Sequence, residues 1–377
     1  MYRFLWVLVA GLLACLVEAP PPLAAASGTK TFVYIHDDAS PDNRVFGFQF
    51  NSNGTLTPLD GSPFSTGDDT TGCGGLCQTA AFSSNRNLLF VGGATGITAF
   101  RVDASGGLSR VEGSPFGGEL TLGVASVQRG SRSFVYGSEV TNNRLVGFEV
   151  QADDTLAPLR GSPFPTDGEP AGLSAANDLL FTGLLAPLEV DGKIAAFKVR
   201  SDGVLVQAPG SPFDIRAVKF INVQVEAAGK FVYVNDATNG NLFAFKVNPH
   251  NAALTPVAGS PFADVLFDSE SLAVSKKPIL VSLESDDVGV QAFRRNKSGS
   301  LTALGGVQDS GLAHQHGVGA FDPTGRFLVL VDDENDEVRS FSVNQNTGVI
   351  TPVDTESADL DSQAANGVVF AQPRRLR

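Results

Sequence analysis

The chain has a single tryptophan, Trp6, close to its start. Beyond residue 6, then, no tryptophan-dependent repeat motif and no sugar-stacking tryptophan platform can exist, and carbohydrate binding loses support. Cysteine is scarce as well, at three residues in 377. No three basic residues stand in succession, the pairs being Lys276-Lys277, Arg294-Arg295 and Arg374-Arg375, and a net charge of −13 disfavours nucleic acid and anionic membrane surfaces as partners. There is no nucleophile elbow, no phosphate-binding glycine loop and no zinc spacing. No stretch carries a sustained helical period.

The N-terminus reads as an export signal: Arg3, the apolar run Phe4–Val17, then the small residues Ala24-Ala25-Ala26. Fourteen apolar residues are too few for a bilayer span of about 20, so residues 1–26 are expected to be cleaved near Ala26–Ser27, with no transmembrane segment in residues 27–377. Leu12-Leu13-Ala14-Cys15 also has the form of a lipoprotein box, which would put a lipid anchor on Cys15. Outside the cytoplasm, Cys73 and Cys77 around Gly-Gly-Leu are expected to close a small disulfide loop.

What the sequence does contain is repetition. Gly-Ser-Pro-Phe stands at Gly61–Phe64, Gly113–Phe116, Gly161–Phe164, Gly210–Phe213 and Gly259–Phe262, in steps of 52, 48, 49 and 49. A strand phenylalanine extends the count to seven units, at Phe48, Phe100, Phe148, Phe197, Phe245, Phe293 and Phe341. In the unit His316–Val353, short runs at Val318–Phe321, Arg326–Val331, Val338–Val343 and Val349–Val353 are separated by turn residues, which reads as four strands. Seven such units predict an all-β, seven-bladed β-propeller of four antiparallel strands per blade, a single domain over residues 27–377. The first unit lacks an inner strand, and Asn366–Phe370 is expected to supply it beside Thr31–Ile35, closing the ring with strands from both termini. The proline of the motif is expected to end the outer strand. The phenylalanines are expected to fill the spaces between blades, and Tyr34, Tyr136 and Tyr233 to be packed.

The pattern Phe321-Asp-Pro-Thr-Gly-Arg-Phe-Leu-Val, the His314-Gln-His316 ahead of it and the Asp-rich loop after it resemble the lactonase-type seven-bladed propellers. These are the 6-phosphogluconolactonase-like and muconate-lactonizing-like proteins. The likeness covers all seven units in layout and the last in detail. The family's Pro-His-x-His has Ala313 here in place of proline. Its Arg-His and Asn-Glu pairs have only Asn222 and Asn235-Asp236 as counterparts. The resemblance implies ring opening of a lactone.

Topology puts the loops into the inner strands and the loops after the second strands on one face. Gln78, Asn222, Glu270, His316 and Asn366 are expected to ring the channel mouth there. His314 and His316 are the catalytic candidates, because neutral imidazole can activate a water for attack on an ester carbonyl. His36-Asp37-Asp38 is expected to converge on them from the first unit, and Asp332, Asp333 and Glu334 from the seventh, although an acidic loop is most simply a solvated one. Arg216 and Lys219 could receive a carboxylate or phosphate, and His250 reads as exposed on the opposite face. A divalent cation is conceivable at such histidines and carboxylates but has no motif behind it. Two readings follow: an exported monomeric lactonase-like hydrolase, or a non-catalytic exported propeller that binds a protein partner or ligand on its loops.

Overall fold

The structure, a computed structural model, describes residues 29–38, 42–69, 80–185, 192–215, 223–225, 229–236, 240–264, 266, 269–284, 289–313, 318–332, 334–360 and 365–374. Among these residues the chain forms seven small antiparallel sheets in succession, the blades of a propeller. No helix among them is long and apolar enough to cross a membrane.

Second strands such as Phe327–Asp332 are buried at every residue, because both faces of each blade are covered by its neighbours. The core is therefore a series of inter-blade layers. Phe134 and Tyr136 of the third blade, for example, pack with Leu180, Phe197 and Leu205 of the fourth. The phenylalanines of the third strands, Phe48 through Phe341, are all buried, as are the three tyrosines.

The ring closes as the sequence predicts. Ala365–Ala371 is the inner strand of the first blade, with Phe370 opposite Val33 and Val368 opposite Ile35. Past this strand, Gln372 donates to the Thr31 hydroxyl at 2.9 Å, and the Asn87 side chain clasps the backbone of Arg374. The clasp has two bonds: Asn87 Nδ2 to the Arg374 carbonyl at 2.7 Å, and the Arg374 N–H to Asn87 Oδ1 at 2.8 Å.

The Gly-Ser-Pro-Phe motif differs from its expected role. The outer strand does not end at proline: Leu56–Pro58 pairs with Phe48–Phe50, the chain detours through Gly61-Ser-Pro, and Phe64–Ser65 returns to pair with Arg44-Val45 of the same third strand. Proline has no N–H for the ladder, so the ladder must break here. The break leaves the Gly47 N–H facing the detour, and the Ser62 hydroxyl accepts it at 3.0 Å. The other copies do the same, with Ser114, Ser162, Ser211 and Ser260 accepting from Ala99, Gly147, Ala196 and Ala244 at 3.1, 2.9, 3.0 and 3.0 Å. All five Ser-Pro bonds are cis.

Candidate functional site

Each second strand ends on the loop face, and polar side chains at these ends are buried rather than solvated. His36, Asp37, Ser138, Glu139, Asn235, Asp236 and Asp332 are each exposed by 1% or less. In the first blade, Arg44 opens the third strand and grips the Asp37 carboxylate through Nε at 3.0 Å and Nη2 at 2.5 Å. In the third blade, Arg144 and Glu139 form the same pair. These carboxylates thus tie the second strand to the third at the rim of the blade.

Asp332 corrects the solvated reading of its loop. Its Oδ2 accepts from the Ala313 N–H at 2.8 Å and the Asn335 amide at 3.0 Å, and its Oδ1 accepts from the Asn335 N–H at 3.2 Å. Only Glu334 and Asn335 of the described loop are exposed. Ala313 immediately precedes His314, so Asp332 anchors the root of the histidine segment. Acidity alone gave no hint of this, because a capping aspartate and a solvated one look alike in sequence.

His36 lies opposite Val45 and Gly367, and it is buried. Val33 and Ile35 pack toward the seventh blade, whereas Phe32 and Tyr34 pack toward the second. Strand alternation therefore turns Asp37 to the seventh blade and His36 to the second, away from the expected convergence. Burial holds its pKa down to about 4, against a smaller upward pull from Asp38, so the imidazole is neutral at pH 7 and offers no surface to a ligand.

The inner strands carry the clearest irregularity on this face. In the first blade, Gly367 lies opposite His36 and Ala365 opposite Asp37, which leaves Asn366 as an extra residue. In the sixth, Ser269 and Ser271 lie opposite Glu284 and Leu283, which leaves Glu270 extra. The fourth blade has a related irregularity between Pro170 and Leu173. Such β-bulges re-aim the strand and recur beside active sites. Two of the candidates read from sequence thus occupy bulges, on the blades that flank the seventh. His314, His316, Gln78, Asn222, Arg216, Lys219, Asp333, Cys73 and Cys77 lie outside the described residues. His250 is exposed in its turn on the opposite face. Among the described residues no group of three or more His, Cys, Asp or Glu could hold a metal ion.

No family model matches the chain, and no curated protein matches it in sequence. Solved structures do match. The periplasmic gluconolactonase of Pseudomonas aeruginosa is similar at a TM-score of 0.68 and 17% identity, over 91% of this chain and 99% of that one. A Bacteroides uniformis protein provisionally described as a 6-phosphogluconolactonase gives 0.70 and 16%, over 91% and 100%. A Lactobacillus plantarum protein gives 0.70 and 15%, over 90% and 99%. At this identity the likeness speaks to the fold: the chain has the seven-bladed propeller architecture of the gluconolactonase-like structures.

Proposed function

We propose that the chain is an exported lactonase-like hydrolase that opens a lactone or related cyclic ester at the loop-face mouth of the channel. The observation that carries this reading is the pair of bulges at Glu270 and Asn366, on either side of the blade that the His314-Gln-His316 segment enters. In this scheme His316, supported by His314, takes a proton from the attacking water. Asn222, Asn366, Gln78 or Arg216 steadies the developing oxyanion. Asp332 acts as a positioning residue through its bond to Ala313. The apolar N-terminal run supports export, in keeping with the periplasmic location of the Pseudomonas gluconolactonase. Export argues against a sugar phosphate and for a neutral lactone.

The second reading, a non-catalytic binding propeller, is favoured by one observation: Asp37 and Glu139 are engaged by arginines, and His36 is buried. The test is hydrolysis of a broad lactone panel, followed by acid release. Under the hydrolase reading, His316→Ala lowers the rate about a hundredfold or more while the melting temperature is kept. The parent rate falls with acid through an apparent pKa of about 6–7, since only neutral imidazole accepts the proton. Unchanged activity in His316→Ala overturns the assignment, and an inactive parent across the panel favours the binding propeller.

A further inference from the structure

The turn face, opposite the proposed catalytic mouth, has a cavity of about 450 Å³ in the central channel, lined by inner-strand residues and by Lys276, Asp322 and Pro323 of the first-to-second-strand turns. That volume is within the range of small-molecule pockets, about 300–1,000 Å³. The inner strands contribute up to three successive residues each, so the cavity reaches roughly 7 Å into the channel.

Register explains why a cavity exists here. Phe370, Phe82, Ser126, Ala175, Val274 and Phe321 lie at one level, each opposite the second-strand residue that in turn faces the repeated third-strand phenylalanine. The aromatic members come from three adjacent blades, the seventh, first and second. The small ones come from the third, fourth and sixth. One wall therefore carries aromatic side chains and the opposite wall small ones, which leaves room between them. Phe321, Phe370 and Phe82 are only partly buried; each packs into an inter-blade layer and keeps some surface exposed.

The cavity lining carries one cation, Lys276, and one carboxylate, Asp322, and they differ in what is left for a ligand. Asp322 is saturated by its own turn: it accepts from the Thr324 N–H and hydroxyl at 2.9 and 2.6 Å, and from the Arg326 and Phe327 N–H groups at 2.8 Å each. Lys276, in the sixth blade next to the aromatic wall, is exposed and makes no ion pair among the described residues. Of the two charged lining residues, Lys276 is thus the one whose hydrogen-bonding groups remain available to a ligand.

We propose that the turn-face end of the channel binds a flat, mostly apolar monocarboxylate of the arylalkanoic acid class. Its ring lies against Phe321, Phe370 and Phe82, and its carboxylate meets Lys276. The site is separate from the proposed catalytic mouth and does not depend on it.

The probes are 4-phenylbutyrate and its neutral counterpart 4-phenylbutyramide, titrated by calorimetry and by saturation-transfer NMR into the protein purified after export. The acid binds at least tenfold more tightly than the amide. Lys276→Gln, at an exposed position that the fold does not need, removes that preference and leaves amide binding unchanged; a tenfold change corresponds to 1.4 kcal/mol. Saturation transfer is strongest at the ring protons. His316→Ala leaves acid binding unaffected, which separates this site from the catalytic proposal. No binding of the acid up to about 10 mM overturns the site, that being weaker than any useful small-ligand affinity. Equal affinity for acid and amide, or an unaltered Lys276→Gln variant, overturns the role of Lys276.

Discussion

The Tyr34 hydroxyl donates at 2.7 Å to the carbonyl of Gly106, in the turn between the third and fourth strands of the next blade. Gly106 has φ +93°, and a Cβ there would come within 2.6 Å of the Phe32 ring. The relationship repeats: Tyr136 donates to the Gly203 carbonyl at 2.6 Å, and Gly203 lies equally close to Phe134. At the closure of the ring, Ser340 donates to the Gly54 carbonyl at 2.7 Å, with Phe327 packed under Gly54. Where the second strand opens with Leu88 or Leu179 instead, the equivalent turn residues are Asp154 and Ala252, still at positive φ. Each aromatic ring at this second-strand position therefore meets a glycine on the next blade, because the ring occupies the space a Cβ would need.

This coupling predicts a non-additive double mutant. Gly106→Ala should destabilise the protein by about 1–3 kcal/mol through strain and the clash with Phe32. Phe32→Leu, itself destabilising, should relieve part of that loss when combined with it. Urea denaturation of the four proteins in the cycle reads the coupling energy, and strictly additive losses would count against the packing account.

The motif serine should matter through the backbone. Ser162→Ala leaves the Gly147 N–H without its 2.9 Å acceptor inside a packed blade, at a cost of about 1–3 kcal/mol. Hydrogen exchange at the Gly147 amide should accelerate in the variant, and an unchanged exchange rate would contradict the role assigned to the hydroxyl.

His36 should make stability fall in mild acid. Its folded pKa of about 4 lies below the ordinary 6.5, so the unfolded chain binds the extra proton first. The stabilising contribution is complete above pH 6.5, declines as the pH drops toward 4 and is flat below that. The integrated loss is on the order of 3 kcal/mol. Melting temperatures from pH 7.5 to 3.5 should show a steeper decline for the parent than for His36→Gln, and parallel curves would remove His36 as the source.

The closing strand and the tail after it should contribute unequally. Deleting residues 365–377 removes the inner strand of the first blade and should abolish cooperative folding. Deleting residues 372–377 removes the Thr31 contact and the Asn87 clasp while keeping the inner strand, and should lower the melting temperature by a few degrees. Asn87→Gly tolerates the local φ of +52° and should reproduce the loss of the clasp. If it is as stable as the parent, the clasp contributes nothing.

The propeller, its blade count and its closure by Asn366–Phe370 were legible because each rests on periodicity and strand patterning, which local chemistry writes directly into the chain. The buried tyrosines followed for the same reason, each standing within an apolar second strand. The detour at Gly-Ser-Pro was not legible. A proline that breaks a ladder looks the same whether the strand stops or resumes, and only the register of Phe64 against Val45 decides it. Nor could sequence decide that His36 turns to the second blade and Asp37 to the seventh, since a one-residue shift of register reverses both. The bulges at Glu270 and Asn366 and the capping role of Asp332 likewise depend on strands brought together from distant parts of the chain. Repetition determined the ring; pairing across blades decided which side of it each polar residue faces.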